Sequence, residues 1–241
     1  MRKLLFGVAL LLTCAVFAGC LEAKLVPTQP PAVTAPWTAP ESFQYVLLDR
    51  DNGDEVGRGT LEVAEKSAGY ELSQKFRDGE DHDNSSIVVS KSTLKPISGT
   101  RDRLVNGERK RLRSQYDATE NVVTIIEIKD GGERPIPHRL KSDYYDNDSS
   151  LFLWRSLHFA EGLTETYHTV VTGSGEQPIL RLEVIGKERV TVPAGTFDTW
   201  RLEIRSQDHK QIAWYADTAT HPLIQYDNGV QLFQLVNAPA S

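Results

Sequence analysis

The chain has little sulfur: two cysteines, Cys14 and Cys20, and a single methionine in 241 residues. With Cys14 inside an N-terminal apolar segment, no internal disulfide framework and no paired-cysteine zinc site can be built, so the fold has to stand on its apolar core. A basic excess is also missing. Lys and Arg number 27 against 33 Asp and Glu, for a net charge of −6, which argues against nucleic acid or a generally anionic surface as the main partner. No second apolar run approaches a membrane span, since even Val122 to Ile128 is broken by Thr124 and Glu127. The six histidines never fall into a His-Glu-x-x-His spacing, so no metal is expected. Asp217-Thr218-Ala219 has no second copy to share a proton with, and Gly173-Ser174-Gly175 lacks the strand-to-helix setting of a nucleophile elbow. Neither a catalytic residue nor a cofactor is expected, and an enzyme is the third-ranked reading.

What is present begins at the N-terminus. Arg2 and Lys3 precede an uncharged apolar run from Leu4 to Phe17, followed by Ala18, Gly19 and Cys20. This is the pattern of a secretory leader, too short in its apolar core for a stable span and ending in small residues. The small pair before a cysteine resembles the bacterial lipobox, with Phe17 where that pattern usually has Leu. It implies a diacylglyceryl thioether on Cys20 and palmitate-type acylation of the mature N-terminus. Plain secretion with Cys20 as a free thiol, or an uncleaved anchor helix, are the alternatives; Glu22 and Lys24 stop the apolar run abruptly. Residues 1–19 are therefore expected to be removed as a signal peptide. The protein is expected outside the cytoplasm, attached to the cell membrane, or to an outer membrane where one exists, through its N-terminal lipid.

Residues 20–41 hold the lipidated cysteine and a proline-rich tether with Pro27, Pro30, Pro31, Pro36 and Pro40, a composition that favours a semi-rigid polyproline conformation. Trp37 either packs back on the domain or sits at the lipid interface. From residue 42 to 236 the period is mostly two. Phe43, Tyr45 and Leu47 alternate with Gln44 and Val46, Leu61 and Val63 flank Glu62, and Tyr70, Leu72 and Phe76 share one side of a strand. Asp51-Asn52-Gly53, Asn106-Gly107, Asp130-Gly131-Gly132, Gly173-Ser174-Gly175 and Asp227-Asn228-Gly229 supply turns. The expectation is a hairpin meander in a single domain, with Val122 to Ile128 as a central strand covered on both faces, and residues 237–241 as a tail.

One segment departs from this rhythm. Asp148 and Ser149 can cap a helix over residues 149 to 160 that Gly162 stops, with Leu151, Trp154 and Leu157 on one face and Arg155 pointing elsewhere. A short apolar helix in a β-meander is expected to plug the concave side of the curved sheet. Val190-Thr191-Val192-Pro193-Ala194-Gly195-Thr196-Phe197 reads as a tight hairpin whose Gly195 adopts a conformation a β-carbon opposes.

Asp148-Ser149-Ser150-Leu151 with Trp154-Arg155-Ser156-Leu157 and Gly162, then Val190 to Phe197, then Ala213-Trp214-Tyr215, occur in the order found in a family of exported bacterial proteins. The chain resembles that family, a domain of unknown function numbered 3108. The resemblance implies a mainly β fold: a strongly curved antiparallel sheet, an incomplete barrel, with one short helix covering the concave face, similar to the lipoprotein carriers of the Lol system. It carries over no enzymatic residue.

Two charged features stay open. Asp49, Asp51 and Asp54, then Asp78, Glu80, Asp81 and Asp83, then Asp143, Asp146 and Asp148 read as solvated turns or as an oxygen-rich calcium loop without the EF-hand pattern. In the basic run from Arg101 to Arg113, Arg109, Arg111 and Arg113 project from one face and Lys110 and Leu112 from the other. That face either protects an edge or touches anionic headgroups or an acidic partner. Two functional classes follow. One is a lipid-anchored binding module holding a lipid or other apolar ligand, with Leu151, Trp154 and Leu157 as lining residues; the other is a structural or assembly lipoprotein of the envelope with a filled core.

Overall fold

The computed structural model describes residues 33–207 and 209–237. The expected leader, Cys20 and the proline-rich residues before Val33 lie outside the described residues, as does the end of the expected tail. Eight strands come first: β1 (Glu41–Asp49), β2 (Glu55–Lys66), β3 (Gly69–Asp78), β4 (Asp81–Val89), β5 (Pro96–Val105), β6 (Glu108–Asp117), β7 (Val122–Lys129) and β8 (Gly132–Arg139). A three-residue β9 (Tyr144–Asp146) precedes helix α1 (Ser150–Leu153), which single 3-10 turns, Asn147–Ser149 and Trp154–Ser156, extend at both ends. The chain closes with β10 (Thr164–Val170), β11 (Ile179–Val192), β12 (Gly195–Ser206), β13 (His209–Ala216), β14 (Leu223–Asp227) and β15 (Gln231–Leu235).

These strands form one 15-stranded sheet with β1 and β15 paired at its middle. From β1 the chain meanders outward to β8 at one edge, then moves to β9 at the opposite edge, and meanders back to β15. Only residues 140–143 make that jump. A flat sheet of this width would separate its edges by roughly 65 Å at about 4.8 Å per strand, whereas this linker can reach no more than about 18 Å. The sheet must therefore be rolled until its edges nearly meet. Register shifts at Leu47/Leu48, Val88/Val89, Val184/Gly186 and Trp214/Tyr215 supply the local twist and bend that rolling needs.

The seam stays open along the backbone and is tied by side chains. Gln177 donates from Nε2 to the Arg139 carbonyl at 2.7 Å and accepts at Oε1 from the Lys141 amide at 3.0 Å. Lys110 Nζ donates to the Gly173 carbonyl at 2.8 Å. Behind them Leu112, Val123, Ile125 and Leu140 from one edge pack with Tyr144 and Val170 from the other, so burial of apolar surface, not a ladder, holds the edges together.

The architecture is thus the expected mainly β, curved and incompletely closed sheet with a short helix inside it, with particular differences. The sheet is mixed, because β9 and β10 run parallel, as strands joined by a crossover containing a helix can. The helical segment ends at Ser156 and does not run to residue 160: Leu157 is extended, at φ −65° and ψ 145°, and Gly162 belongs to a later turn in which its amide donates to the Val184 carbonyl. Val122 to Ile128 is not central. It is β7, next to the edge; Val123 and Ile125 face the core, while outward Ile126 is flanked in register by Arg113 and Pro135. Gly195 does adopt the expected unusual backbone, with φ +132°, and the Asn106-Gly107 tip has both residues at positive φ, as a two-residue hairpin turn requires.

Candidate functional site

The interior is where helix and sheet meet. Leu151, Trp154 and Leu157 all lie in one buried cluster that also holds Phe152 and Leu153 from the same segment. The structure brings the three residues together, but packs them against protein. Trp154 is 2% exposed; its Nε1 donates to Tyr167 Oη at 2.8 Å, and its ring lies 6.4 Å from that of Tyr226. Tyr215 Oη donates to the Leu151 carbonyl at 3.0 Å, and Tyr45 Oη to the Leu223 carbonyl at 2.9 Å. Burial pushes the Tyr167 phenol up to about 12, so it stays neutral and able to bond. A buried hydroxyl left without a partner is costly. These tyrosines therefore fix the helix in one position as well as filling space around it.

A polar patch sits on the N-terminal side of the helix, and here the sequence reading needs correction. Asp148 is not the cap. Asp146 takes that role, its Oδ1 accepting from the Asp148 amide at 2.7 Å. Asp148 instead faces Arg101 Nη1 at 3.2 Å, and Arg101 grips Asp83 through Nε at 2.8 Å and Nη2 at 2.6 Å. Tyr116 Oη donates to Asp146 Oδ2, and Gln74 Nε2 to the Asp148 carbonyl. Asp143 is engaged by His168 Nδ1 at 2.6 Å. Asp143, Asp146 and Asp148 are all buried, so they form neither a solvated turn nor an open oxygen-rich loop, and each already has a protein partner. The space left beside Asp148, Thr172, Ser114 and Ile87 is too small to admit a water molecule. Lys95 donates to the Tyr144 carbonyl with its amine over the rings of Tyr144 and Tyr145, and burial lowers the amine to about 8.

Burial, reinforced by the Asp148 charge, raises the Asp146 carboxyl from an ordinary 3.8 to about 7, and burial raises Asp148 as well. A carboxyl raised in the folded state contributes stability that is complete below its unfolded value and is lost as pH rises through the folded one. The carboxylates held low by ion pairs, Glu71, Asp102, Glu203 and Asp217, act in the opposite sense but below their ordinary values. Between pH 5 and pH 8 the buried pair, joined by Glu165, whose carboxyl burial also raises, therefore sets the sign, because Lys95, lowered to about 8, acts in the opposite sense only at the top of this window. The expected result is a higher urea midpoint at pH 5 than at pH 8, with Asp146→Asn flattening that dependence; a midpoint that rises with pH over this window contradicts it.

Arg155, read from the sequence as pointing away from the face of Leu151, Trp154 and Leu157, is not at the surface. Its side chain is 3% exposed. It donates to Glu41 Oε2 at 2.9 Å, to the Thr220 carbonyl at 2.8 Å and to the His221 carbonyl at 3.1 Å, and its guanidinium lies over the rings of Trp37 and Phe43. One cation thus joins the helical segment, the start of β1, residues 33–40 and the loop before β14. Val33 and Trp37 are themselves buried in the main core, with the Trp37 ring edge-on to Tyr70. The available signal was an arginine in the mostly apolar stretch Leu151 to Leu157.

The basic run divides as alternation dictates. Arg109, Arg111 and Arg113 face outward and Leu112 is buried. Arg101, however, turns inward to Asp83 and Asp148. Asp217 accepts from Trp200 Nε1 at 2.8 Å and pairs with Lys187 at the surface. Ser174 lies in a turn closed by the Gly175 amide on the Val171 carbonyl.

Comparison with known proteins gives a family and a fold. The model of a family described as a protein of unknown function, DUF3108, matches residues 43–227. A β-barrel-like protein of domain of unknown function DUF1849 from Brucella abortus superposes with a TM-score of 0.57 over 84% of this chain and 98% of that one, at 9% identity. A protein with a YmcC-like fold from Bacteroides fragilis covers 88% of this chain and 100% of its own at 13% identity, with a TM-score of 0.33. The first likeness shows the fold alone and the second is too distant to carry an argument; the expected likeness to Lol-system carriers is not confirmed by either. No curated protein sequence matches the chain.

Proposed function

The chain belongs to the DUF3108 family, and from that premise we propose that it is a non-enzymatic, extracytoplasmic protein held to a membrane by lipid on Cys20, with a structural or assembly role in the cell envelope. The observation that carries this reading is the packed contact between helix and sheet. An apolar cargo needs an enclosed space of several hundred Å³, whereas Trp154, Leu151 and Leu157 spend their surface on protein neighbours. This packing supports the structural reading over that of a carrier holding an apolar ligand in the concave sheet. The absence of an enzymatic role is supported by the way the buried acids and bases are used: Asp146, Asp148, Arg101 and Arg155 are each committed to bonds that join elements of the fold.

Lipid on Cys20 is supported by the small pair Ala18-Gly19 before it and by the charged n-region and apolar run upstream. Several acyl chains hold a protein firmly where one does so marginally. In cells fed labelled palmitate, the wild-type chain is expected to take up label and to sediment with membranes, and Cys20→Ala to lose the label and accumulate as precursor or leave the membrane. An unlabelled wild type removes the anchoring part of the proposal.

A further inference from the structure

The outer face of the sheet carries a trough of about 330 Å³ bordered by strands β3 to β7. Its depth follows from register. Ser73, Ser86 and Thr100 stand side by side across β3, β4 and β5, so short side chains leave the surface low, while Lys75, Arg111 and Arg113 rise around it. Two of these cations are balanced: Lys75 pairs with Glu62, and Arg113 Nη2 meets Glu133 Oε2 at 2.6 Å. Asp102, the carboxylate nearest Arg111 in register, is already held by both Nε and Nη2 of Arg109, at 2.9 and 2.5 Å. Arg111 makes no ion pair among the described residues. Arg113 Nε is buried with no acceptor. A buried donor left unmet is costly, and it belongs to an arginine two positions from the exposed Arg111 guanidinium, both bordering a trough whose floor holds the Thr100 hydroxyl and the Ser73 and Ser86 hydroxyls, which pass their hydrogens on towards Glu71. Donor set and charge fit an oxyanion able to take Arg ligands.

We propose that this trough binds the phosphoryl headgroup of an anionic glycerophospholipid, with Arg111 and Arg113 holding the phosphate. Its volume is that of a small-molecule site. Ile128 and the aliphatic stems of Lys75 and Arg113 border it, giving the glycerol and first acyl carbons an apolar wall that an inorganic ion would not use. The lipid source rests on the anchoring proposed above, which keeps the domain beside a headgroup surface that attracts basic side chains.

The test titrates the detergent-solubilised full chain by calorimetry with glycerophosphoglycerol, the acyl-free headgroup of phosphatidylglycerol, and with inorganic phosphate. Saturable binding of the diester is expected, at least about tenfold tighter than phosphate and weakened at least about tenfold by Arg111→Ala, the range of a lost charge-assisted bond. Arg111 is exposed, so this variant is expected to keep the wild-type circular dichroism. With the chain anchored in nanodiscs, phosphatidylglycerol is expected to weaken apparent diester binding about tenfold relative to phosphatidylcholine, because membrane headgroups occupy the site. The site is overturned by no saturable binding, or by an Arg111→Ala chain that binds like wild type. Equal affinity for phosphate and diester, or equal diester binding in both nanodiscs, overturns the lipid assignment. A chain that fails to enter nanodiscs yet binds the diester refutes the anchor and leaves the site standing.

Discussion

Trp154→Ala is expected to lower the unfolding free energy by about 3 to 5 kcal/mol, the range for truncating a large aromatic side chain in a packed core. Three losses add. The indole leaves a void among Tyr226 and its neighbours in the main cluster, the surrounding barrel wall is a hydrogen-bonded sheet that can collapse only in part, and Tyr167 Oη loses the donor it receives at 2.8 Å. A cavity wall behaves differently: with fewer protein contacts to lose, the same truncation would change ligand binding more than folding. Urea unfolding of wild type and variant measures the loss, with an unchanged slope confirming that both unfold from comparable structures. A cost under about 1 kcal/mol would be too small for a packed site.

Replacing Arg155 by Met is expected to cost a similar amount, about 3 to 5 kcal/mol, for a different reason. The hydrophobic stem is largely conserved, so packing changes little. What remains is the Glu41 carboxylate, 13% exposed, without its counter-charge, and the Thr220 and His221 carbonyls without a donor. The second change Glu41→Gln is expected to return part of the loss by removing the stranded charge, a coupling that a double-mutant cycle reads directly. Equal and additive losses would mean that the pair does not act as a unit. Because Arg155 also covers Trp37 and Phe43, Arg155→Met should expose residues 33–40 to protease earlier than the rest of the domain.

How far the fold could be read from the chain depends on whether each signal was local. Alternation at Phe43, Tyr45 and Leu47 and turn chemistry at Asn106-Gly107 are local, and the strands and hairpins formed there. The apolar stretch around Trp154 marked the helix, but its length was set by the extended Leu157, which joins the core and cannot continue the coil. Apolar residues on both faces of β7 suggested a central strand; their actual cause is a near-edge strand that packs across the seam inside and beside Arg113 and Pro135 outside. Rolling itself is encoded only in the brevity of residues 140–143 once the strand order is known. The buried charges were the least legible. Arg101 and Asp148 are 47 positions apart and Arg155 and Glu41 are 114 apart, so even where a local signal marks a buried charge, as the apolar neighbours of Arg155 do, nothing nearby in the chain names the mate of a charge usually left in water. Asp143, Asp146 and Asp148 looked like a solvated loop for the same reason.

The central claim, a filled interior with no apolar cargo, is tested most directly by native mass spectrometry of the full chain, released from membranes and washed at high salt to strip lipid held by charge alone. The account predicts a single mass, that of the polypeptide with its covalent anchor. A stoichiometric apolar molecule that survives the wash, and is lost when Trp154 is changed to Ala, would contradict it.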